Sequence, residues 1–166
     1  IRPANLEDDL PLLGEADWVL EAVAERLDVK HQVWRQLAGY LRPDAVLSTN
    51  TSGLGIAAIA AALPPALRPR FLGTHFFNPP RYLRLLELIP GPDTDPALAE
   101  AVAAFARQVL GKGVVVCRDT PYFIANRLGV YGLMAVFRAM ERHGLDPATV
   151  DRITGPAMGR PRSATF

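Results

Sequence analysis

Phe71-Leu72-Gly73-Thr74-His75-Phe76-Phe77-Asn78-Pro79 ends one apolar run of the chain, and Leu85-Leu86-Glu87-Leu88-Ile89 is the next. Read as neighbouring strands joined through Pro79-Pro80, the two runs bring His75 and Glu87 side chain to side chain, twelve residues apart in sequence. A histidine oriented by a buried carboxylate is the usual construction of a general base working near neutral pH. The alternative for His75 is a strand-end core histidine bonded to a backbone carbonyl. The rest of the chain is read outward from this pair of strands.

On the N-terminal side, short apolar runs alternate with amphipathic segments. Glu7 to Leu13 reads as a weak helix and Trp18-Val19-Leu20-Glu21-Ala22-Val23 as a buried strand. Val29, Val33, Trp34, Leu37 and Leu41 recur at helical spacing, with Asp28 as the expected N-cap. Pro43-Asp44 breaks that helix before the strand Ala45-Val46-Leu47-Ser48. The polar turn Asn50-Thr51-Ser52-Gly53 leads into a short alanine-rich helix from Ile56 to Leu63, stopped by Pro64-Pro65. On the C-terminal side, Asp95-Pro96 opens a helix carrying Leu98, Val102, Phe105 and Val109, closed by Gly111. Val114 to Cys117 is the last expected strand. Strands alternating with helices of this length predict an α/β layered sheet with helices on its faces.

The texture changes after Arg118-Asp119-Thr120-Pro121. One long apolar helix is expected from Phe123 to Arg142, and Asp146-Pro147 caps a further short one. Residues 1–118 therefore read as the α/β domain and 119–166 as the start of an all-helical domain. The chain lacks an initiator methionine, and both ends read as cut from a longer protein.

Composition narrows the function classes. Hydrophobic residues make up 49% of the 166 and charged ones 21%, a globular balance. A net charge of +1 offers no footprint for nucleic acid or an anionic membrane surface. No run reaches the ~18 apolar residues of a membrane span, and the start is not a secretory signal, so a cytoplasmic location is expected. The single cysteine, Cys117, sits in an apolar run and reads as a buried inert thiol. No metal-ligand spacing of His, Asp or Glu stands out.

Several motifs, in order along the chain, carry a resemblance. They are Glu21-Ala22-Val23-Ala24-Glu25 with Lys30, Ser48-Thr49-Asn50-Thr51-Ser52, and His75-Phe76-Phe77-Asn78-Pro79 with Glu87. Asp119-Thr120-Pro121-Tyr122-Phe123-Ile124-Ala125-Asn126-Arg127 and Met158-Gly159-Arg160-Pro161 complete the series. Over nearly its full length the chain resembles the L-3-hydroxyacyl-CoA dehydrogenase family of fatty-acid β-oxidation, and its ending, Gly159 to Phe166, is most like the long bacterial multidomain members. The resemblance implies an incomplete Rossmann-like dinucleotide-binding domain followed by the beginning of an all-α domain. The family's Gly-x-Gly-x-x-Gly turn, which holds the cofactor pyrophosphate, does not occur in this sequence.

The same resemblance assigns roles. His75 becomes the general base and Glu87 its orienting acid. Val23, Ala24, Glu25, Lys30, Ser52 and Asn78 become contacts to NAD, and Ser52 and Asn126 contacts to an acyl-CoA substrate. Each has a plainer alternative: a helix N-cap for Ser52, an Asn-Pro turn for Asn78, and a cap or interhelical hydrogen bond for Asn126. For Glu25 and Lys30, whose spacing favours no helical ion pair, the alternative is a solvated surface. Arg81 and Arg84 could attract CoA phosphates or lie in a solvated loop, and His31 and His143 read as surface residues. NAD rather than NADP is expected on resemblance alone. The implied activity is oxidation of L-3-hydroxyacyl-CoA to 3-ketoacyl-CoA. A 3-hydroxybutyryl-CoA or sugar-acid dehydrogenase, or a non-catalytic association module, are the alternatives. Without the pyrophosphate turn the chain alone is expected to be inactive, and to self-associate or to belong to a longer multidomain chain.

Overall fold

The computed structural model describes residues 2–160 and 164–166. Of the motif near the C-terminus, Pro161 therefore lies outside the described residues, as do Arg162 and Ser163. Five strands form one sheet in the order β1-β2-β3-β4-β5. They are β1 (Trp18–Glu21), β2 (Val46–Thr49), β3 (Phe71–Phe76), β4 (Leu85–Pro90) and β5 (Gly113–Val116). Strands β1, β2 and β3 run parallel, β4 is antiparallel to β3, and β5 is parallel to β4.

The crossovers carry α1 (Leu27–Leu37), α2 (Ile56–Ala60) and α3 (Pro96–Gln108). Strand alternation sends Val19, Leu47, Phe71 and Ile89 to one face, where Trp34 and Leu37 of α1 and Ile56 and Ile59 of α2 bury them. Leu72 and Leu88 point the other way and meet Leu98, Val102 and Ala103 of α3. This is a Rossmann-like layered sheet, as expected. Gly73 permits the closest approach of α2 to the sheet. A Cβ there would lie 2.7 Å from Cδ1 of Ile56 and 3.1 Å from Cβ of Ile89.

Several boundaries differ from the sequence reading, each for a local reason. The expected helix from Glu7 to Leu13 is a 3-10 segment over Leu10–Glu15. β1 stops at Glu21 because that carboxylate accepts the N–H of Val23 at 2.7 Å and turns the chain out of the sheet. α1 begins at Leu27, so Asp28 is inside its first turn rather than the cap. The Arg26 guanidinium, 2.6 Å away, holds the Asp28 carboxyl below its usual range. Asp95 does cap α3, accepting from the N–H of Ala97 at 2.8 Å.

The chain divides into two compact units, the first ending at Ile124 and the second starting at Ala125. The stretch from Asp119 to Ile124 belongs with the first unit. Both Asp119 carboxylate oxygens cap α2, accepting from Ile56 (2.7 Å) and Ala57 (2.9 Å), and Phe123 is buried in the larger core cluster. Tyr122 and Phe123 take φ of 62° and 50°, left-handed values that a helix cannot contain. The long helix α4 (Ala125–His143) therefore starts after them, not at Phe123. In the second unit, α5 (Pro147–Thr154) follows with Asp146 as its cap, and Val136 and Met140 of α4 share a small apolar cavity with Val150 and Ile153 of α5.

Candidate active site

The antiparallel register pairs His75 directly with Glu87. Both side chains leave the sheet on the α1–α2 face, and Nδ1 of His75 lies 2.8 Å from Oε2 of Glu87 with both groups buried. The other carboxylate oxygen, Oε1, accepts the N–H of Ile124 at 3.0 Å. A carboxylate against Nδ1 holds a proton on that nitrogen, which leaves Nε2 as the ring position able to take one up. Phe77 and Phe123 enclose the imidazole, with ring centroids at 4.4 and 5.7 Å. Cys117 is buried beside the same carboxylate. Burial first, and then the charge of Glu87, push its thiol up to about 11, so it stays protonated and unreactive at neutral pH.

A second group lies at the carboxyl ends of β1 and β2, the edge where open α/β sheets bind ligands. Oε1 of Glu25 accepts from the Thr51 hydroxyl (2.6 Å), the Ser52 N–H (2.8 Å) and the Gly53 N–H (3.1 Å). The Lys30 ammonium lies 2.8 Å from Oε1 of Glu21, 3.3 Å from Oε2 of Glu25 and 3.4 Å from the Val23 carbonyl. Oε2 of Glu21 accepts the Thr49 hydroxyl at 2.7 Å. Burial raises the Glu25 carboxyl, but the Thr51 hydroxyl, the Ser52 N–H and the Lys30 charge outweigh it and hold the group below its ordinary value.

These contacts correct two expectations. The solvated-surface alternative fails for Lys30, whose side chain is only 1% exposed. Glu25 and Lys30 form an ion pair that is not a helical one, in keeping with their spacing, because Glu25 lies in the loop before α1. The N-cap alternative for Ser52 fails as well, since α2 starts after Gly55 and the carboxylate of Asp119 serves its first N–H groups.

Between these two groups, Oδ1 of Asn50 accepts the Phe76 N–H at 2.9 Å and ties the end of β2 to the end of β3. Leu20, Ala22, Asn50, Phe76, Asn78 and Pro80 line a cavity of about 330 Å³ there. The recess is largely apolar, lies at the carboxyl ends of three strands and has Asn78 in its lining, a chemistry that suits a flat heteroaromatic ring. Asn126 stands in the first turn of α4, in the second unit. Arg81 and Arg84 are exposed in the link between β3 and β4. That link is fastened by Lys112, whose ammonium donates to the carbonyls of Pro80 and Leu83, a tie with no signal in sequence spacing. His31 contacts the Ala58 carbonyl at 2.7 Å, joining α1 to α2. Among the described residues there is no cluster of side chains able to hold a metal ion, and no helix is long and apolar enough to cross a membrane.

A mixed, mostly parallel sheet with crossover helices, a recess at its carboxyl edge and a buried histidine–carboxylate pair fit a dinucleotide-binding α/β oxidoreductase domain. Residues 2–120 match the model of the family described as 3-hydroxyacyl-CoA dehydrogenase, NAD binding domain. The chain belongs to that family, whose cofactor is NAD. It is 49% identical over all 166 residues to a protein of Deinococcus radiodurans named as a probable 3-hydroxyacyl-CoA dehydrogenase, covering 48% of it. A Bacillus subtilis protein of the same name is 48% identical, again over the whole chain, which covers 21% of that relative. Among solved structures, that of FadB2 from M. tuberculosis superposes with a TM-score of 0.82 at 38% identity, over 92% of this chain and 53% of that one. The chain thus spans about half, or less, of the relatives it matches.

Proposed function

We propose that the protein containing this chain is an NAD-dependent 3-hydroxyacyl-CoA dehydrogenase of fatty-acid oxidation, acting in the cytoplasm, with His75 as its general base. The observation that carries the reading is the buried 2.8 Å contact between Nδ1 of His75 and Oε2 of Glu87. In the oxidative direction Nε2 of His75 takes the proton of the substrate 3-hydroxyl. Glu87 fixes the tautomer and stabilises the imidazolium that forms. NAD, when bound, supplies the ring carbon that accepts the hydride from C3. The two electrons and one hydrogen of that hydride, with the hydroxyl proton on His75, balance conversion of the alcohol to a ketone.

Ser52 donates to a substrate oxygen, and Phe77 and Phe123 keep water from the imidazole. Asn78 lines the recess, and Ser52, Glu25, Lys30 and the backbone of Val23 and Ala24 are the other proposed contacts to NAD. The pyrophosphate end of NAD calls for a glycine-rich turn, a motif that these 166 residues do not contain. Mixing the complete protein with acetoacetyl-CoA and NADH and following the absorbance of the reduced cofactor tests the activity. Steady consumption of NADH is expected, and none at saturating concentrations of both would overturn the assignment.

A further inference from the structure

We infer that Lys112 is a positioning residue for the recess at the carboxyl ends of β1, β2 and β3, acting through the link between β3 and β4. Its ammonium donates to the carbonyl of Pro80 and, at 2.7 Å, to that of Leu83. The same charge stands 5.6 Å from the centre of the Phe76 ring, within reach of the ring quadrupole that attracts cations. Two carbonyls and a ring face thus match the three N–H donors of the ammonium. The backbone that carries Lys112 is itself fixed. Its N–H donates to the Ala106 carbonyl of α3 at 2.9 Å, and the N–H of Gly113 donates to the Arg84 carbonyl at 2.8 Å.

Phe76, Asn78 and Pro80 supply half of the six residues that line the recess. Lys112 reaches the first and the last of these, and Asn78 lies between them in the chain. Asn50 holds Phe76 from the other side, accepting its N–H at 2.9 Å. Within the link, the N–H groups of Tyr82 and Leu83 both donate to the Pro79 carbonyl at 3.0 Å, a turn that ties the link to itself and not to the sheet. The Lys112 side chain spans that gap, from the junction of α3 and β5 to the wall of the recess. The functional consequence rests on the reading that NAD places its ring in the recess. Without the tie the wall formed by Asn78 and Pro80 loosens and cofactor affinity falls. The His75–Glu87 pair, held by the strand register, keeps its geometry.

The test compares wild type with Lys112→Met in the complete protein, by steady-state kinetics with acetoacetyl-CoA and NADH and by amide hydrogen exchange. The substitution keeps an apolar stem over Phe76 and removes every donor. It is expected to raise KM for NADH about tenfold, the worth of one charge-assisted hydrogen bond, with kcat within about threefold of wild type. Exchange at the Tyr82 and Leu83 amides should quicken by about tenfold or more, the signature of a loosened link. If Lys112→Met does not fold, wild type carries the test alone. Saturating NADH should then slow exchange at the same two amides by about threefold or more, because a link that shapes the cofactor site is held by the cofactor in return. An unchanged KM for NADH in a folded Lys112→Met protein would overturn the inference, as would link amides in wild type that ignore NADH. So would a raised KM with the link as protected as in wild type, since the charge would then meet the cofactor directly. A wild-type protein that binds NADH but leaves acetoacetyl-CoA untouched would sink the dehydrogenase reading, while the exchange measurement would still decide the role of Lys112.

Discussion

At the scale of single residues, the dyad is made by a register rather than by a motif. His75 and Glu87 face each other because β3 and β4 pair antiparallel, and a shift of one residue would send both side chains to opposite faces of the sheet. Glu87→Gln is nearly isosteric and keeps the packing, but it can present an N–H to Nδ1 and favour the wrong tautomer. Nitrogen NMR of His75 should then find the proton moved to Nε2, with kcat lower by about 10²-fold or more. Glu25 gives a pH prediction with a fixed sign. Its folded value lies below the ordinary 4.5, so its contribution to stability is complete above that point. The contribution is lost as pH falls through the depressed folded value. Denaturant titrations should therefore find the advantage of wild type over Glu25→Gln shrinking on acidification, and an advantage that grows would contradict the assignment. Cys117, with its thiol near 11, exposes about one thiolate in a thousand at pH 8. Ellman's reagent should label it far more slowly in the native protein than in denaturant.

At the scale of elements, α2 is the piece whose stability depends on distant residues. It is only one turn or so long, too short to hold itself. Asp119, more than sixty positions later in sequence, supplies its cap. Asp119→Ala should cost about 0.5–2 kcal/mol in chemical denaturation, the usual worth of an N-cap. Gly73→Ala should cost about 1–3 kcal/mol by overpacking against Ile56 and Ile89, and Ile56→Val should recover part of it. These two cases show what was legible in the sequence and what was not. The strands were readable because their apolar runs are bounded by Pro, Gly and polar turns, and α3 because Asp95-Pro96 is a local cap signal. The His75–Glu87 contact was readable because the two strands are consecutive. The cap on α2 and the Glu21–Lys30–Glu25 group were not, since each joins residues whose proximity only the folded sheet creates. A solvated surface stays open for Lys30 in the sequence because lysine usually lies there, and the carboxylates that permit its burial lie outside its own helix.

At the scale of the whole molecule, the first unit carries both core clusters and the dyad, and its last segment is structural. A chain ending at Ile124 should keep a cooperative unfolding transition. One ending at Arg118 loses the cap on α2 and the buried Phe123, and should be less stable by at least about 3 kcal/mol, judging from buried phenylalanine truncations. The activity proposed above is that of the complete protein, and this chain spans half or less of the relatives it matches. The most direct measurement of the central claim is kcat for reduction of acetoacetyl-CoA by the complete protein with His75 intact and with His75→Ala. Loss of proton transfer by His75 predicts a fall of about 10²- to 10⁴-fold, with cofactor binding retained. A His75→Ala protein that turns over within about threefold of wild type would contradict the assignment of His75 as the base.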